Sequence, residues 1–223
     1  SIIYYNPQSV VSGDFYWYKY VENTNDVILA ISDCTGHGVP GAFMSILGIS
    51  SLDKIVSTNP NIRPSKILEQ LNSEIRQKLN SDIDEKVQEG MDVIICRISL
   101  DTNSIVFSSA LHKMVLIRNS EIKTYNGCRH FIGSHFKKGF KFLEHELALK
   151  KDDQIFMFSD GVYDQKGGDT GKKLYLKGLE EILFEMVNIP VSEQEIYLSS
   201  KIKNWQGTTE QLDDMLVFGW KVN

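Results

Sequence analysis

The order of strand-like and helix-like segments constrains this chain more than any other feature. Apolar patterning predicts strands over 10–20 and 27–32, and helical spacing predicts helices beginning near Pro40 and Pro64. Later elements are expected as strands over 91–100, 104–109, 113–118, 121–125, 141–149, 154–159 and 215–221, and as helices over 176–187 and 192–205. Short turns between successive strands favour antiparallel neighbours. Because strands and helices come in groups, the chain is expected to form an α+β fold with antiparallel sheet covered by helices.

Length and charge narrow the class of protein. The 223 residues suit a single domain, 1–223, and 42% hydrophobic residues allow a sizeable core. A net charge of −5 argues against binding to nucleic acid or to an anionic membrane surface. No apolar stretch is expected to reach the roughly 20 residues of a membrane span. Strand-like sequence begins almost directly after Ser1, so we expect a domain excised from a longer protein.

The cysteines indicate a reducing environment. Cys34, Cys96 and Cys128 are odd in number and widely spaced, and no CxxC pair is present. This pattern argues against a disulfide framework and against a structural zinc site. A cytoplasmic location is therefore expected. The acidic segment 81–90 is expected to be a solvated loop.

Aspartates stand at the ends of the apolar strands. VILAIS runs into Asp33 and QIFMFS into Asp160, each followed by a glycine-bearing turn. Asp14 lies within the first predicted strand, and Asp213 and Asp214 directly precede the last. Each aspartate alone is explained by turn or helix capping. Together they could converge at one sheet edge, where a cation would relieve their repulsion, and oxygen ligands favour Mg²⁺ or Mn²⁺ over zinc.

Four segments in order resemble the metal-dependent protein phosphatases, most closely the bacterial SpoIIE/RsbU-type branch. These segments are 12–17 (SGDFYW), 32–42 (SDCTGHGVPGA), 158–161 (FSDG) and 213–215 (DDM). Residues 162–173 also resemble a loop of that branch. The resemblance covers nearly the whole chain and implies two antiparallel sheets between helical layers, an α-β-β-α sandwich.

The resemblance also implies a site and a reaction. It implies two divalent ions, Mn²⁺ or Mg²⁺, and hydrolysis of phosphoserine or phosphothreonine by a metal-activated water. Asp14 and Asp33 would be the catalytic residues, with Asp33 bridging the ions. The implied ligands are Asp14, Asp33, the backbone carbonyl of Cys34, Asp160, Asp213 and, as an alternative to its neighbour, Asp214.

Three positions leave questions open. His37 follows Asp33 by four residues and either transfers protons or orders the loop. Asp92 could support the metal site by hydrogen bonding or cap a turn. No basic residue precedes Asp14, so phosphate binding is expected to depend on the metals alone.

The resemblance suggests partners, and rival functions remain. The expected substrate is a phosphorylated protein, such as a STAS-type anti-sigma-factor antagonist. An upstream sensor domain, acting through the helix near Pro40, is expected to control activity, and a dimer is possible. One alternative is a phosphatase-fold domain, weak or inactive in catalysis, that regulates a partner by docking. The other is a metal phosphoesterase for small molecules.

Overall fold

A computed structural model describes residues 1–79, 89–137, 139–168 and 171–223. In chain order the strands are β1 (Ile2–Asn6), β2 (Phe15–Val21), β3 (Asp26–Cys34), β4 (Met91–Ser99), β5 (Ser104–Ala110), β6 (Lys113–Arg118), β7 (Glu121–Asn126), β8 (Glu144–Ala148), β9 (Gln154–Phe158), β10 (Lys166–Gly167), β11 (Lys172–Lys173) and β12 (Met215–Lys221). The helices are α1 (Gly38–Thr58), α2 (Pro64–Lys78), α3 (Asp160–Asp164), α4 (Tyr175–Met186) and α5 (Val191–Gln206).

The longer strands form two antiparallel sheets that face each other. Over the described residues, sheet one has the order β2-β3-β4-β5-β8, and sheet two has the order β1-β12-β9-β6-β7. Strands β10 and β11 form a separate pair. The antiparallel α+β sandwich predicted for the chain is therefore confirmed.

Successive side chains of each strand point to opposite faces of its sheet, and the buried residues therefore form three layers. In β3, Leu29 and Ile31 belong to the cluster between the sheets, whereas Ile28 and Ala30 belong to the cluster beneath α1 and α2. Helices α4 and α5 cover the outer face of sheet two through buried residues such as Leu183. Apolar burial on both faces of each sheet accounts for the continuous apolar runs in the sequence.

Helix α1 is a long apolar helix inside this architecture. Its length and a mean hydropathy of 1.3 over one 18-residue window would allow it to cross a membrane, so the expectation that no segment is long enough was wrong. Leu52 and Val56 are fully buried on the helix-covered face of sheet one. Core helices of globular domains meet the same criterion.

The chain start differs from the prediction. Strand β1 was not predicted, and the strand predicted over 10–20 begins only at Phe15. Val10 and Val11 are exposed, so these two apolar residues belong to a surface loop and not to a buried strand. Helix α3 was also unpredicted. Of the segment expected to be a solvated loop, residues 81–88 lie outside the described residues.

Candidate metal centre

Sheet one brings three aspartates to one end of the layer between the sheets. Asp33 continues the alternation of Leu29 and Ile31, so it belongs to the inter-sheet face of β3. Asp92 lies directly opposite Asp33 in the antiparallel register. Asp14 immediately precedes β2, so the prediction that it lies inside the first strand was wrong. Its neighbour Phe15 pairs with Ser32, which places Asp14 beside the end of β3.

Sheet two supplies the opposing carboxylates. Strand β9 ends at Phe158, and Asp160 opens α3 two residues later. The Asp160 backbone N–H lies 3.4 Å from Asp33 Oδ2, so the two sheets meet at this point. A Cβ on Gly161 would lie 2.1 Å from the Asp214 carbonyl oxygen. The absent side chain therefore lets α3 start against the segment that carries Asp213.

The two adjacent aspartates before β12 have different surroundings. Asp214 is 3% exposed, and its Oδ1 and Oδ2 accept hydrogen bonds from the backbone N–H groups of Gln8 and Gly13, both at 2.7 Å. Asp213 is exposed, and its charge contributes to raising the pKa values of Asp14, Asp33 and Asp160, whereas the charge of Asp214 acts on Asp14. Asp214 therefore ties the β1–β2 loop to β12, whereas Asp213 faces the carboxylate cluster.

Burial and mutual repulsion both disfavour the charged carboxylates. Burial, and then the neighbouring aspartates, raise the pKa of Asp14 to about 8 and that of Asp33 well above its usual range. The pKa of Asp160 and that of Asp213 are also raised, chiefly by burial. Burial raises the pKa of Asp92 to about 7. Such a cluster gains stability from a bound cation.

The donor set fits a hard divalent cation. Asp14 Oδ2 is buried without a hydrogen-bond partner among the described residues, as expected of an oxygen available to a metal. The converging side chains are carboxylates, which suit Mg²⁺ or Mn²⁺. Within the described ranges, however, no three His, Cys, Asp or Glu side chains already surround one point.

Cys34 and His37 flank the cluster in the β3–α1 loop. The Cys34 thiol belongs to the helix-side core, and burial raises its pKa. Its carbonyl oxygen lies 3.1 Å from the position of a Cβ on Gly13, so this carbonyl faces the Asp14 loop. His37 directly precedes α1 and lies close enough to Asp213 to oppose the burial that raises the pKa of that carboxyl.

A small pocket beside the carboxylates contains residues that sequence reasoning missed. Its volume is about 100 Å³. The lining residues are Asp33, Asp92, Leu111, His112, Lys113, Phe158, Asp160 and Tyr163. Lys113 begins a correctly predicted strand, but no motif distinguishes it from other strand lysines. Its position becomes apparent only from the pairing of β6 with β9.

The chain matches a protein-family model and a curated protein. The family model described as Stage II sporulation protein E (SpoIIE) matches residues 23–223. "Phosphoserine phosphatase RsbU" of Bacillus subtilis (strain 168) is 23% identical over 157 residues, which cover 70% of this chain and 44% of RsbU. The chain therefore spans less than half the length of this curated relative.

Solved structures share the fold. The SiaA-PP2C domain of Pseudomonas aeruginosa superposes with a TM-score of 0.89 at 24% identity, covering 100% of this chain and 85% of that one. The PP2C phosphatase domain of SpoIIE from Bacillus subtilis, with a fragment of its regulatory domain, gives 0.76 at 19% identity, covering 99% and 62%. At these identities the likeness concerns the fold.

Proposed function

This chain belongs to the Stage II sporulation protein E (SpoIIE) family, and on that premise we propose that it is a metal-dependent serine/threonine protein phosphatase. The observation that carries the proposal is the convergence of carboxylates from both sheets at one end of the sandwich, where Asp160 meets Asp33. Their raised pKa values indicate a site that a cation would stabilise.

The family resemblance and this placement together support a ligand set for two divalent ions. Its members are Asp14, Asp33, the Cys34 carbonyl, Asp160 and Asp213. Mn²⁺ or Mg²⁺ bound there would supply Lewis-acid activation of water and of the phosphoryl group. Asp33, which lies between the two sheets, would be the carboxylate that bridges the ions. Asp33 and Asp14 would be the catalytic residues. We propose Asp213 instead of Asp214 as the ligand, because both Asp214 oxygens already accept backbone hydrogen bonds at 2.7 Å.

The shape of the site favours a protein substrate. Asp160 and Asp213 are exposed, so the cluster opens at the end of the sandwich. The adjacent pocket of about 100 Å³ can receive a phosphoryl group. Sites that enclose a whole small-molecule ligand usually measure roughly 300–1,000 Å³. A phosphorylated side chain presented by a larger molecule therefore fits better than a free nucleotide.

Phosphate release from a phosphoserine protein tests the proposal. Release is expected with Mn²⁺ or Mg²⁺, and it should be lost with EDTA and in Asp33→Ala and Asp160→Ala. Asp101→Ala is the matched control, because Asp101 lies beyond β4, at the opposite end from Asp92. Activity that survives both site substitutions would refute the site. Inactivity with either ion, combined with binding to a partner, would favour the docking function.

The biological setting extends the proposal. We expect the substrate to be a phosphorylated STAS-type anti-sigma-factor antagonist in the bacterial cytoplasm. A sensor region outside this chain would act through α1, whose first residues follow the Asp33 loop. Turnover of the full-length protein with and without its signal tests this control. Equal turnover in both states and in the isolated domain would exclude it.

A further inference from the structure

Lys113 brings a positive charge to the end of the sandwich where the carboxylates gather. It is the first residue of β6 and lies directly opposite Phe158 of β9, two residues before Asp160. It also lines the small pocket together with Asp33 and Asp92. The pairing of β6 with β9 therefore places this ammonium group beside the proposed metal centre.

A tyrosine holds the ammonium group in place. Lys113 Nζ donates a hydrogen bond to Tyr163 Oη at 3.2 Å and lies 5.1 Å from the centroid of the ring. Tyr163 itself packs edge-on against Phe158, with ring centroids 6.0 Å apart. The side chain of Lys113 is thus anchored by packed aromatic residues of β9 and α3.

The charge of Lys113 is not neutralised by a salt bridge within the described part of the chain. No carboxylate of the described residues lies within 4.0 Å of its Nζ. Its field nevertheless reaches the pocket, because it opposes the burial that raises the pKa values of Asp92 and Asp160. An ammonium group has three donors, and Tyr163 accepts from one of them. Donors thus remain for a ligand.

The other basic side chain of the pocket does not carry charge. His112 is 5% exposed, and burial lowers its pKa to about 4. Its Nδ1 lies 3.3 Å from the Lys113 carbonyl oxygen. Near neutral pH it is therefore uncharged, which leaves Lys113 as the cationic side chain lining this pocket.

We propose that Lys113 binds a non-bridging oxygen of the substrate phosphate and of the phosphate product. The inference rests on the proposed phosphatase function and adds a residue to it. A phosphoryl dianion entering this pocket meets Asp33, Asp92 and Asp160, and a fixed ammonium group offsets that repulsion. Lys113 thus provides the basic residue that the sequence lacks before Asp14, from a distant strand of the other sheet.

Phosphate binding measured apart from turnover tests the inference. Equilibrium dialysis of ³²P-labelled orthophosphate against the Mn²⁺-saturated chain gives the dissociation constant directly. Lys113→Met is expected to weaken phosphate binding about 10- to 100-fold, the range for a lost charge-assisted hydrogen bond. Lys113→Arg should retain most of the affinity. Mn²⁺ affinity, measured by calorimetry, should change little in either variant.

A second lysine offers a matched control. Lys123 on β7 lies 4.7 Å from the centroid of the Tyr125 ring, so it makes the same kind of contact away from the pocket. Lys123→Met should bind phosphate like the unaltered chain, and thermal unfolding will show that both variants fold. Unchanged phosphate affinity in Lys113→Met would overturn the inference, as would an equal loss in Lys123→Met.

The inference and the proposed function can fail separately. If the unaltered chain releases phosphate from a phosphoprotein but Lys113→Met matches it in phosphate affinity, the inference fails and the function stands. If phosphate binding depends on Lys113 but no phosphoprotein is hydrolysed, the inference stands and the function fails.

Discussion

At the scale of single residues, Asp213 and Asp214 show how neighbours of identical chemistry take different tasks. Asp214 is buried and accepts two backbone hydrogen bonds from the loop between β1 and β2. Asp213 is exposed, and its charge raises the pKa values of both Asp14 and Asp33, whereas that of Asp214 acts on Asp14. Sequence reasoning identified the pair but could not decide which aspartate is the metal ligand, because the hydrogen-bond partners of Asp214 lie at the other end of the chain.

Substituting each of the two aspartates should separate stability from activity. Asp214→Ala removes the charged acceptors of a buried backbone N–H, that of Gly13, and of a part-buried one, that of Gln8, and should lower the free energy of unfolding by about 2–4 kcal/mol. Asp213→Ala should change the stability of the metal-free chain by less than about 1 kcal/mol but abolish Mn²⁺-dependent phosphate release. Urea unfolding in EDTA and the phosphate-release assay measure the two effects. The reverse pattern would show that the roles are exchanged.

The other site residues differ in whether the sequence alone could predict them. Asp33 and Asp160 could be predicted, because an apolar strand and a following glycine mark each of them. Lys113 could not, because its significance comes from cross-strand pairing with Phe158. Local patterns reveal residues at strand ends, whereas contacts between distant strands depend on a register that the local sequence does not specify.

At the scale of elements, the start of α1 connects the loops of two site aspartates. A Cβ on Gly41 would lie 2.1 Å from the Gly36 carbonyl oxygen and 2.9 Å from Gly13 Cα. The Ser45 hydroxyl, one turn later, lies 3.0 and 2.8 Å from the carbonyl oxygens of Ser12 and Gly13. Movement of this helix end would displace both the Asp14 loop and the Asp33 loop.

Alanine at two glycines of α1 tests this connection. Gly41→Ala should push the two loops apart and weaken Mn²⁺ binding by about tenfold or more, an effect of roughly 1.4 kcal/mol. Gly48→Ala on the same helix meets the side chains of Phe15 and Met91 instead. It should lower thermal stability with little effect on Mn²⁺ affinity. Calorimetric titration with Mn²⁺ measures the affinity of both variants. Equal Mn²⁺ affinities in Gly41→Ala and Gly48→Ala would argue against a connection between the helix start and the two loops.

The errors in the predicted elements have physical causes. Val10 and Val11 extended the first predicted strand, but both are exposed in a loop. Strand β1 was overlooked because it is short, and what makes it a strand is its pairing with the distant β12. Helices α2 and α4 were predicted well, since each buries one apolar stripe that is visible in the local sequence.

At the scale of the whole molecule, the carboxylate cluster makes stability depend on pH. The pKa of Asp14 is raised to about 8 and that of Asp92 to about 7, both from 3.8. The folded chain therefore holds protons that the unfolded chain releases, and stability falls as pH rises through this interval. His112, with its pKa lowered to about 4 from 6.5, acts in the opposite sense below pH 6.5.

Unfolding between pH 6.5 and pH 8 should expose this effect. In EDTA, the free energy of unfolding should fall with rising pH by up to about 1.4 kcal/mol per pH unit for each proton involved. Saturating Mn²⁺ should raise stability and flatten the profile. Asp14→Asn in EDTA should lose much of the slope. A flat profile for the unaltered metal-free chain would contradict the raised pKa values.

The position of β12 affects how the molecule can be made. This strand lies between β1 and β9, so the first and last of the described strands are neighbours in sheet two. Among the described strands β1 pairs with β12, so during synthesis this pair cannot form until β12 has left the ribosome. Asp213 and Asp214 emerge just before that strand. A nascent chain therefore cannot assemble the complete carboxylate cluster before β12 is translated, and binding of the proposed metal ions would have to wait until then.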